Sequence, residues 1–458
     1  MTASTHPAHA AAEAIVCTLR QRGHQAYLVV GCVRDLVLGR EPADFDVATD
    51  ATPDQVMQIF PQTFAVGAQF GVVLVPVASL VPQPPADVRR LTSDVGVVEV
   101  ATFRSDLGYS DGRHPDQVRY STDPREDVAR RDFTFNGLLF DPVKNEVLDY
   151  VGGRADIEAR LVRAIGEPER RFAEDKLRML RAVRFAARFG YAIEKETLAA
   201  IPRLAAEIHQ VSQERVRDEL TKVLTEGRAA DAFRLLDATG LLHRVLPEVE
   251  KMKGVEQPPQ FHPEGDVWVH TLLLLEGLAA GGSRTLAWGA LLHDVGKPPT
   301  FRVAPDRIRF DGHVEVGTRM AEAICRRLRF SSDDTEQVAA LVANHLRFAD
   351  VRQMKQSTFK RFVRLPRFEE HLELHRLDCL GSHRDLSLYR FTREKLAALP
   401  PEEIRPRPLV TGDDLIAAGY APGPRFKEIL AAVEDAQLEG SLEAKPQALE
   451  FVRRHFPM

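Results

Sequence analysis

The sequence predicts an α+β (α/β) domain with a mixed β-sheet at the N-terminus, followed by a remainder that is all α. β-branched runs bounded by Gly, Pro and Asp, which are typical of strands, are concentrated before about residue 150. After that point apolar residues recur at helical spacing, and several segments end in Gly or Pro, as helices do. The chain has 458 residues, too many for one typical hydrophobic core, so three or more domains are expected.

Four strands are predicted in the N-terminal region, namely residues 26–30, 45–49, 71–78 and 95–103. A helix is predicted between the second and third strands, because Thr52, Pro53 and Asp54 form a typical helix start and apolar residues follow at helical spacing. The Pro-rich stretch 81–94 is predicted to be a surface insertion in the sheet.

The rest of the chain is predicted to be divided by two segments. Residues 253–266 contain Pro and Gly and are interpreted as a linker, and residues 396–410 mark a second boundary. The prediction is therefore a head over residues 1–150, a helical neck over 151–252, a second helical domain over 253–395 and a helical tail over 396–458.

Composition excludes several classes of protein. With 44% apolar and 28% charged residues the chain is typical of a globular protein, and no apolar run approaches the roughly 20 residues that span a bilayer, so no membrane partner is expected. The N-terminus has no basic region before its Ala-rich run, and the four cysteines are far apart, so a cytoplasmic location is expected. The net charge of −5 argues against a globally basic nucleic-acid binder but leaves local basic patches open.

The stretch of residues 31–50 places two aspartates after a glycine turn. Asp44 and Asp46 are two apart in an extended segment, so their side chains point to one face, where carboxylates suit Mg²⁺. Upstream, a strand runs into Gly31, whose turn exposes backbone N–H groups to an anion, and Arg34 is placed to contact a phosphate. A turn with a solvated face explains the same residues, so both interpretations stay open at this point.

The second helical domain carries a group of histidines and aspartates: His270, His293, Asp294, His313, His345 and Asp378. The His293–Asp294 doublet ends an apolar helix, and burying it is unfavourable unless both side chains are paired or bind a metal. Imidazole and carboxylate ligands together suit a divalent ion such as Mn, Ni or Mg. A single buried histidine is more often a hydrogen-bonded core residue than a ligand.

Residues 30–49, VGCVRDLVLGREPADFDVAT, closely resemble the signature of the class II nucleotidyltransferases, which include tRNA CCA-adding enzymes and bacterial poly(A) polymerases. The sequence departs from the signature at Val30, where the family usually has a first glycine, whereas Gly31 keeps the second. The resemblance implies that Asp44 and Asp46 bind two Mg²⁺ ions for nucleotidyl transfer, with Glu99 as the third catalytic carboxylate. It also implies that Gly31 and Arg34 bind the nucleotide.

Further segments resemble the family in the same order. Residues 109–118 resemble its flexible loop, and residues 130–141 its ribose-selecting segment, with Arg131, Asp132 and Asn136 at matching positions. Residues 149–166 resemble the hinge between head and neck. In residues 174–190 the resemblance implies that Asp175 and Arg178, neighbours on one predicted helix face, bind the Watson–Crick edge of the incoming base, with Arg181 also binding the nucleotide. Residues 212–224 extend the match, and Glu214 and Arg215 there are expected to brace the neck helix.

The order of the histidines and aspartates in the second helical domain resembles the HD phosphohydrolases. The resemblance implies a divalent metal held by His270, His293, Asp294, His313, His345 and Asp378. It further implies hydrolysis of 2′,3′-cyclic or terminal phosphates. The alternative is a degenerate domain that serves only to bind tRNA.

Basic residues interleaved with Phe are concentrated in three segments, residues 159–172, 178–190 and 352–368. Such patches favour salt-dependent contacts to RNA phosphates, although each is equally explained as the solvated face of an amphipathic helix.

The expected function is addition of the 3′-terminal CCA to tRNA from CTP and ATP. Rivals in the same class add only CC, add only A, or make poly(A) tails; the loop at residues 109–118 argues against CC-only addition. A rival of another class is an HD-type nucleotide phosphohydrolase with an inactive head, and a non-enzymatic RNA-binding protein is disfavoured because both metal sets are complete. A monomer and a homodimer are both open.

Overall fold

The computed structural model describes residues 7–64, 71–77, 96–107, 117–260, 262–305 and 307–457. The predicted insertion at 81–94 and most of the predicted loop at 109–118 lie outside these residues. The chain forms two compact units, one made of residues 1–223 with 231–246 and the other of residues 224–230 with 247–458. None of the described helices is both long and apolar enough to cross a membrane.

The head of the first unit is built on a six-stranded mixed sheet, which confirms the predicted fold class. Its strands are β1 (Ala26–Val29), β2 (Asp46–Thr49), β3 (Val72–Pro76), β4 (Val97–Thr102), β7 (Leu139–Asp141) and β8 (Glu146–Leu148), in the order β3-β4-β2-β1-β7-β8. β2 and β4 are parallel, and the other neighbours are antiparallel. β5 (Arg104–Leu107) and β6 (Gln117–Tyr120) form a separate antiparallel pair. The four predicted strands are therefore present, each trimmed at its ends.

Eleven α-helices of the described residues lie between residues 7 and 246, in the head and the neck. They are α1 (Pro7–Gln21), α2 (Gly31–Val37), α3 (Pro53–Ile59), α4 (Pro124–Ala129), α5 (Gly153–Glu158), α6 (Pro168–Glu174), α7 (Leu177–Phe189), α8 (Lys195–Leu204), α9 (Gln213–Thr225), α10 (Ala229–Ala238) and α11 (Leu241–Val245). Two short parallel strands, β9 (Leu161–Val162) and β10 (Ala192–Ile193), lie among them.

Aromatic rings fix α7 against the head. Phe185 of α7 contacts Phe133 and Phe135 edge-on, with ring centroids 5.8 and 5.3 Å apart. Phe133 and Phe135 lie within residues 130–141, the segment predicted to select the ribose, and all three phenylalanines are buried. Aromatic pairs of this geometry contribute about 1 kcal/mol beyond their buried area, so the neck helix is held in a defined position beside the sheet.

The second unit is helical, as predicted. Its helices are α12 (Pro247–Glu250), α13 (Val267–Glu276), α14 (Arg284–Leu292), α15 (Lys297–Thr300), α16 (His313–Arg327), α17 (Ser332–Asn344), α18 (Gln356–Val363), α19 (Phe368–Gly381), α20 (Ser387–Ala397), α21 (Pro401–Ile404), α22 (Gly412–Ala417), α23 (Arg425–Leu438) and α24 (Lys445–His455). A small hairpin, β11 (Arg302–Val303) and β12 (Ile308–Arg309), precedes α16.

Glycines allow two helices of this unit to approach closely. A Cβ atom on Gly296, at the start of α15, would lie 2.1 Å from the carbonyl oxygen of His313 and 2.5 Å from the backbone nitrogen of Gly317. Neither distance leaves room for a methyl group. The backbone of α16 therefore packs directly on the turn that follows Asp294, and this contact brings the first residue of α16, His313, towards that aspartate.

Candidate active site and metal centre

The parallel pairing of β2 with β4 brings two predicted carboxylates together. Asp46, the first residue of β2, is the register partner of Glu99 in β4, so both side chains emerge on the same face of the sheet. Asp44 lies two residues before Asp46 in an exposed position. Burial, and then the negative charges of Asp44 and Glu99, raise the pKa of Asp46 to about 7. A cation bound beside Asp46 would favour its ionised form, so these three carboxylates form a candidate cation site.

The glycine turn lies beside these carboxylates. Gly31 begins α2, and a Cβ atom there would be 3.8 Å from Asp44 Oδ1. The preceding residue, Val30, has φ 61° and ψ −124°, a backbone conformation that favours glycine. The turn therefore keeps the shape that the glycine-rich signature requires even though a valine occupies its first position.

Arg34 is buried, and its guanidinium is held inside the protein. It donates to Asp35 Oδ1 (2.8 Å) and to Asn136 Oδ1 (2.9 Å). Its guanidinium carbon also lies 5.0 Å from the ring centroid of Phe189, within cation–π distance. Arg34 thus joins the glycine turn to the segment containing Asn136, and its contact with a phosphate stays a prediction.

The predicted ribose-selecting residues form one hydrogen-bonded group. Asn136 donates to Asp132 Oδ1 (3.0 Å), and Arg181 donates to Asp132 Oδ2 (2.8 Å). Burial alone would raise the pKa of Asp132, but the charge of Arg181 and the Asn136 hydrogen bond lower it to about 2. Arg131 donates to the carbonyl oxygen of Asn136 (3.1 Å). The carboxylate of Asp132 is therefore ionised and fixed in place at neutral pH.

The prediction that Asp175 and Arg178 share one helix face is wrong. α6 ends at Glu174, and Asp175 has an extended backbone with φ −146° and ψ 105°, so the chain bends before α7 begins. The Asp175 carboxylate accepts a hydrogen bond from the backbone N–H of Leu177 (3.1 Å), which a residue inside a helix would not do. Asp175 therefore precedes the helix that carries Arg178.

Both side chains nevertheless line the same cavity, of about 260 Å³. Arg215 of α9 donates two hydrogen bonds to the Asp175 carboxylate, at 3.2 and 2.7 Å. Arg178 is held by Glu174 Oε2 (2.8 Å) and by the carbonyl oxygen of Arg130 (2.9 Å). The cavity is lined by Val30, Arg130, Arg131, Asp132, Asn136, Asp175, Leu177, Arg178, Arg181 and Arg215. Head and neck residues predicted to bind ribose and base thus meet around one cavity.

The second unit brings the predicted histidines and aspartates into one buried cluster. His293 follows α14, His313 begins α16, and His345 follows α17. Nε2 of His293 lies 3.2 Å from Asp294 Oδ2, whereas Nε2 of His313 and of His345 lie 3.9 and 3.8 Å from Oδ1. Each oxygen of Asp294 therefore faces its own set of imidazoles.

His270 of α13 completes the Oδ2 side of the cluster. Its Nε2 lies 3.9 Å from Asp294 Oδ2, 3.1 Å from Asp378 Oδ1 and 3.3 Å from His293 Nε2. In the described part of the chain, every group of three His, Cys, Asp or Glu side chains whose ligand atoms lie within 4.8 Å of one another belongs to this unit. We name these six residues the histidine centre: His270, His293, Asp294, His313, His345 and Asp378.

Backbone contacts direct three of the imidazoles towards the centre. Nδ1 of His293, His313 and His345 lies 2.9, 2.9 and 2.7 Å from the carbonyl oxygen of Ala290, Phe310 and Val342, respectively. A neutral imidazole that donates from Nδ1 presents the lone pair of Nε2. These three rings are therefore set to accept a metal at Nε2.

The histidine centre fits a divalent metal. Asp294 Oδ1 and His313 Nε2 are buried and have no hydrogen-bond partner among the described residues. Burial lowers the pKa of His345 to about 4, so this ring is neutral and able to ligate at neutral pH. Although burial opposes it, Asp378 and Glu264 raise the pKa of His270 to about 9, as expected for an imidazole among carboxylates. A bound metal ion would take the place of the proton that this raised pKa keeps on the His270 ring.

Three side chains at this centre were missed by the sequence analysis. Lys297 lies 2.7 Å from Asp294 Oδ2 and donates to Gln257 Oε1 (2.6 Å), and Glu264 lies 2.7 Å from His270 Nδ1. The position of Lys297, three residues after Asp294, was the available signal. Gln257 and Glu264 lie in the segment interpreted as a linker, where composition indicated only a loop.

A cavity of about 510 Å³ opens beside the histidine centre. Cationic and apolar side chains both contribute to its wall. It is lined by Pro258, His262, Lys297, Arg307, Ile308, Arg309, Phe310, Asp311, His313, Leu346, Ala349, Asp378, Ser382 and His383. A wall of this composition suits an anionic ligand that also carries an apolar ring.

Comparison with known families accounts for most of the chain. Residues 26–163 match the poly A polymerase head domain, residues 190–253 match the probable RNA and SrmB-binding site of polymerase A, and residues 267–373 match the HD domain. A CCA-adding enzyme of Levilactobacillus brevis is 31% identical over 442 residues, which are 96% of each chain.

Other relatives align over part of their length. The CCA-adding enzyme of Bacillus pumilus is 36% identical over 62% of each chain, and that of Geobacillus sp. strain WCH70 is 41% identical over 50% of this chain and 52% of the relative. The matches with these two relatives thus span about half to three fifths of their length.

Among solved structures, the Bacillus stearothermophilus CCA-adding enzyme in complex with CTP superposes with a TM-score of 0.71 at 26% identity, covering 98% of this chain and 99% of that one. The Thermotoga maritima CCA-adding enzyme complexed with tRNA has a TM-score of 0.55 at 16% identity, which shows the fold alone.

Proposed function

This chain belongs to the family of CCA-adding enzymes, and from that premise we propose that it adds the 3′-terminal CCA to tRNA from CTP and ATP. The observation that carries the proposal is the cavity of about 260 Å³, which is lined both by Asp132, predicted to bind the ribose, and by Asp175 and Arg178, predicted to bind the base. The carboxylates of Asp44, Asp46 and Glu99 belong to the same unit.

The chemistry is transfer of a nucleotide to an RNA end. The RNA 3′-hydroxyl attacks the α-phosphorus of the nucleotide, and pyrophosphate leaves. Asp44 and Asp46 would hold two Mg²⁺ ions, which lower the pKa of the hydroxyl and neutralise the leaving group when bound. Asp132 and Asn136 orient the ribose, so the chain contributes mainly by positioning the reactants.

The base-binding pair explains why CTP and ATP are the substrates. Cytosine and adenine both present an amino group that donates next to a ring nitrogen that accepts. The Asp175 carboxylate is an acceptor and the Arg178 guanidinium is a donor, so the pair matches both bases. Uracil and guanine present the opposite order, which would leave the carboxylate facing an oxygen. The protein thereby replaces a nucleic-acid template.

Incubation with tRNA transcripts tests this function. The transcripts lack the CCA end, stop at CC, or are complete, and each is given CTP, ATP or both. We expect CCA on the first, A on the second and no addition to the third. Addition of A to the second transcript with no addition to the first would instead support an A-adding enzyme. Addition of CC to the first transcript with no further A would support a CC-adding enzyme, and long A tails would support a poly(A) polymerase.

The metal-binding role of the head carboxylates is tested by substitution. Asp44→Ala and Asp46→Ala should each abolish transfer, because neither ion would keep its ligands, while the fold measured by circular dichroism stays unchanged. Asp54→Ala, an exposed aspartate in the first turn of α3, is the matched control and should retain transfer. A fully active Asp44→Ala variant contradicts the proposal.

The arrangement around Asp294 favours a second activity in the other unit. Because its two oxygens face separate sets of imidazoles, we propose a binuclear centre that hydrolyses phosphate esters, in particular a 2′,3′-cyclic phosphate at an RNA end. Divalent ions such as Mn, Ni or Mg bound there would lower the pKa of a water molecule and stabilise charge on the phosphate. Lys297, which contacts Asp294, and the cationic cavity wall would bind the substrate phosphate.

An RNA fragment with a 2′,3′-cyclic phosphate tests the hydrolase. With added Mn²⁺ or Ni²⁺, the protein should open the cyclic phosphate, and Asp294→Ala should abolish opening without reducing CCA addition. No opening with any of these ions would indicate a domain that only binds RNA. Opening by a protein that adds no nucleotide would support a phosphohydrolase with an inactive head.

A further inference from the structure

His270 differs from the other imidazoles of the histidine centre in what its Nδ1 atom faces. His293, His313 and His345 each turn Nδ1 to a backbone carbonyl oxygen. Nδ1 of His270 instead lies 2.7 Å from Oε1 of Glu264. One imidazole of the four thus has a charged side chain from outside its own helix beside its outer nitrogen.

Glu264 is itself fixed in position. Its side chain is only 7% exposed, and the same Oε1 atom lies 2.9 Å from Nδ1 of His262. Asp266, two residues after Glu264, caps α13: its carboxylate accepts hydrogen bonds from the backbone N–H groups of Trp268 (2.7 Å) and Val269 (3.0 Å). The carboxylate is therefore attached to the start of the helix that carries His270, with little freedom to move.

The geometry of His270 decides between two roles for Glu264. Nε2 of His270 lies 3.1 Å from Asp378 Oδ1 and 3.3 Å from His293 Nε2, so this atom belongs to the centre. A neutral imidazole has one N–H, and if Nε2 ligates a metal the proton is on Nδ1, the atom that lies 2.7 Å from Glu264 Oε1. In this structure the two atoms are in contact without a hydrogen bond of good geometry, so a small rotation of the ring would complete the bond. A separate ion held by His262, Glu264 and His270 would need both nitrogens of His270 deprotonated, which is far less favourable.

We propose that Glu264 is a positioning residue of the histidine centre: its carboxylate accepts the Nδ1 proton of His270 and directs Nε2 towards Asp378 and His293. The proposal rests on the metal centre proposed above. Carboxylates that bind the outer nitrogen of a ligating histidine fix the ring and raise its basicity, and their loss lowers metal affinity about 10- to 100-fold. We expect an effect of that size here.

Binding of Co²⁺ to the full-length, metal-free protein tests the proposal, and a full-length Asp44→Ala/Asp46→Ala protein shows which equivalents of Co²⁺ belong to the head carboxylates. The affinity and the visible ligand-field spectrum are measured for the wild type, Glu264→Gln, Glu264→Ala and His262→Phe. Glu276→Gln, at the exposed C-terminal end of α13, is the matched control. The thermal stability of each metal-free variant separates a positioning role from a general structural one.

We expect Glu264→Gln to weaken Co²⁺ binding about 10-fold and Glu264→Ala up to about 100-fold, with a shifted spectrum and unchanged metal-free stability. Glu276→Gln should bind Co²⁺ like the wild type. His262→Phe removes one contact of Glu264 Oε1 but not its contact with His270, and should weaken binding less than Glu264→Gln. Equal affinity and spectra of wild type and Glu264→Ala would overturn the positioning role alone. Loss of one equivalent of Co²⁺ in His262→Phe would show a separate ion at Glu264. A wild type that binds no Co²⁺ would refute the metal centre itself.

Discussion

Val30 combines a β-branched side chain with a left-handed backbone. Its φ of 61° brings Cβ close to the neighbouring carbonyl group, and such conformations destabilise a non-glycine residue by about 1–3 kcal/mol. Its side chain packs against the core cluster that contains Val29 and Phe103, and it also lines the cavity of about 260 Å³. The strain is thus located at the candidate active site and is offset by packing.

Replacing Val30 by glycine should change stability little. Relief of the backbone strain opposes the lost packing and the added freedom of the unfolded chain, so we expect Val30→Gly to change the free energy of unfolding by less than about 1 kcal/mol. Val33→Gly, at a fully buried position inside α2, should instead lower it by about 2–4 kcal/mol. Urea denaturation measures both. Equal losses in the two variants would show that Val30 is not strained.

At the scale of residues, sequence patterns could identify ligands but not the side chains that orient them. Asp44 and Asp46 stood out as candidate ligands because they lie two residues apart after a glycine turn, in a stretch that resembles the family signature. Glu264 was not, because its partner His270 becomes its neighbour only through the fold of a loop without periodicity. Arg34 shows the same limit, since its burial beside Asn136 depends on a contact 102 residues away along the chain.

At the scale of elements, the crossing of α15 and α16 sets the geometry of the histidine centre. Gly296 and Gly317 meet backbone to backbone, with the nitrogen of Gly296 3.3 Å from the position that a Cβ atom on Gly317 would occupy. The contact holds the N-terminus of α16, and hence His313, next to the segment that contains Asp294. No other residue type fits at this crossing without moving a helix.

Gly296→Ala should therefore damage both stability and the metal centre. The added methyl group would lie 2.1 Å from the carbonyl oxygen of His313, and we expect a loss of about 3 kcal/mol or more in the free energy of unfolding. Because the clash is with His313, Co²⁺ binding should weaken as well. Gly423→Ala, where no atom lies within 4 Å of the new methyl group, is the control and should behave like the wild type. A stable Gly296→Ala variant contradicts the close crossing.

The elements that could be predicted are those with a long, regular pattern. β1, β2, β3 and β4 have β-branched runs, and the long helices have apolar residues at helical spacing. β7 and β8 have three residues each, too few for a periodic signal, although they complete the sheet beside β1. The bend at Asp175 was missed because the spacing of an aspartate three residues before an arginine is compatible with two structures. Both residues can lie inside one helix, or the aspartate can precede the helix and cap its start.

At the scale of the whole molecule, the second unit buries several neutral histidines. His371 is 2% exposed, and neither of its ring nitrogens has a hydrogen-bond partner among the described residues. Burial lowers the pKa of His371 and of His375 to about 4 in the folded state. An unfolded histidine titrates near 6.5, so the unfolded state binds protons first as the pH falls.

The second unit should therefore lose stability in mild acid. Each neutral histidine contributes about 1–3 kcal/mol to the free energy of unfolding. This contribution is fully present above about pH 6.5 and is lost as the pH falls towards about 4. His371→Leu should reduce this dependence, whereas His455→Gln, at an exposed position on α24, should not. Thermal denaturation of each protein between about pH 7 and pH 4.5 measures this dependence of stability on pH. The same acid dependence in His371→Leu and wild type would contradict the assignment.

The pairing of β4 on both edges has a consequence for how freely this chain can vary in length. β3 and β2 hold β4 in register, so the place of Glu99 opposite Asp46 is set by the ladder and not by the chain that leads into it. Residues can be gained or lost between Pro76 and Val97 without turning Glu99 to the other face. An affinity tag or a fluorescent reporter inserted in that stretch should therefore leave the register of Glu99 opposite Asp46 unchanged.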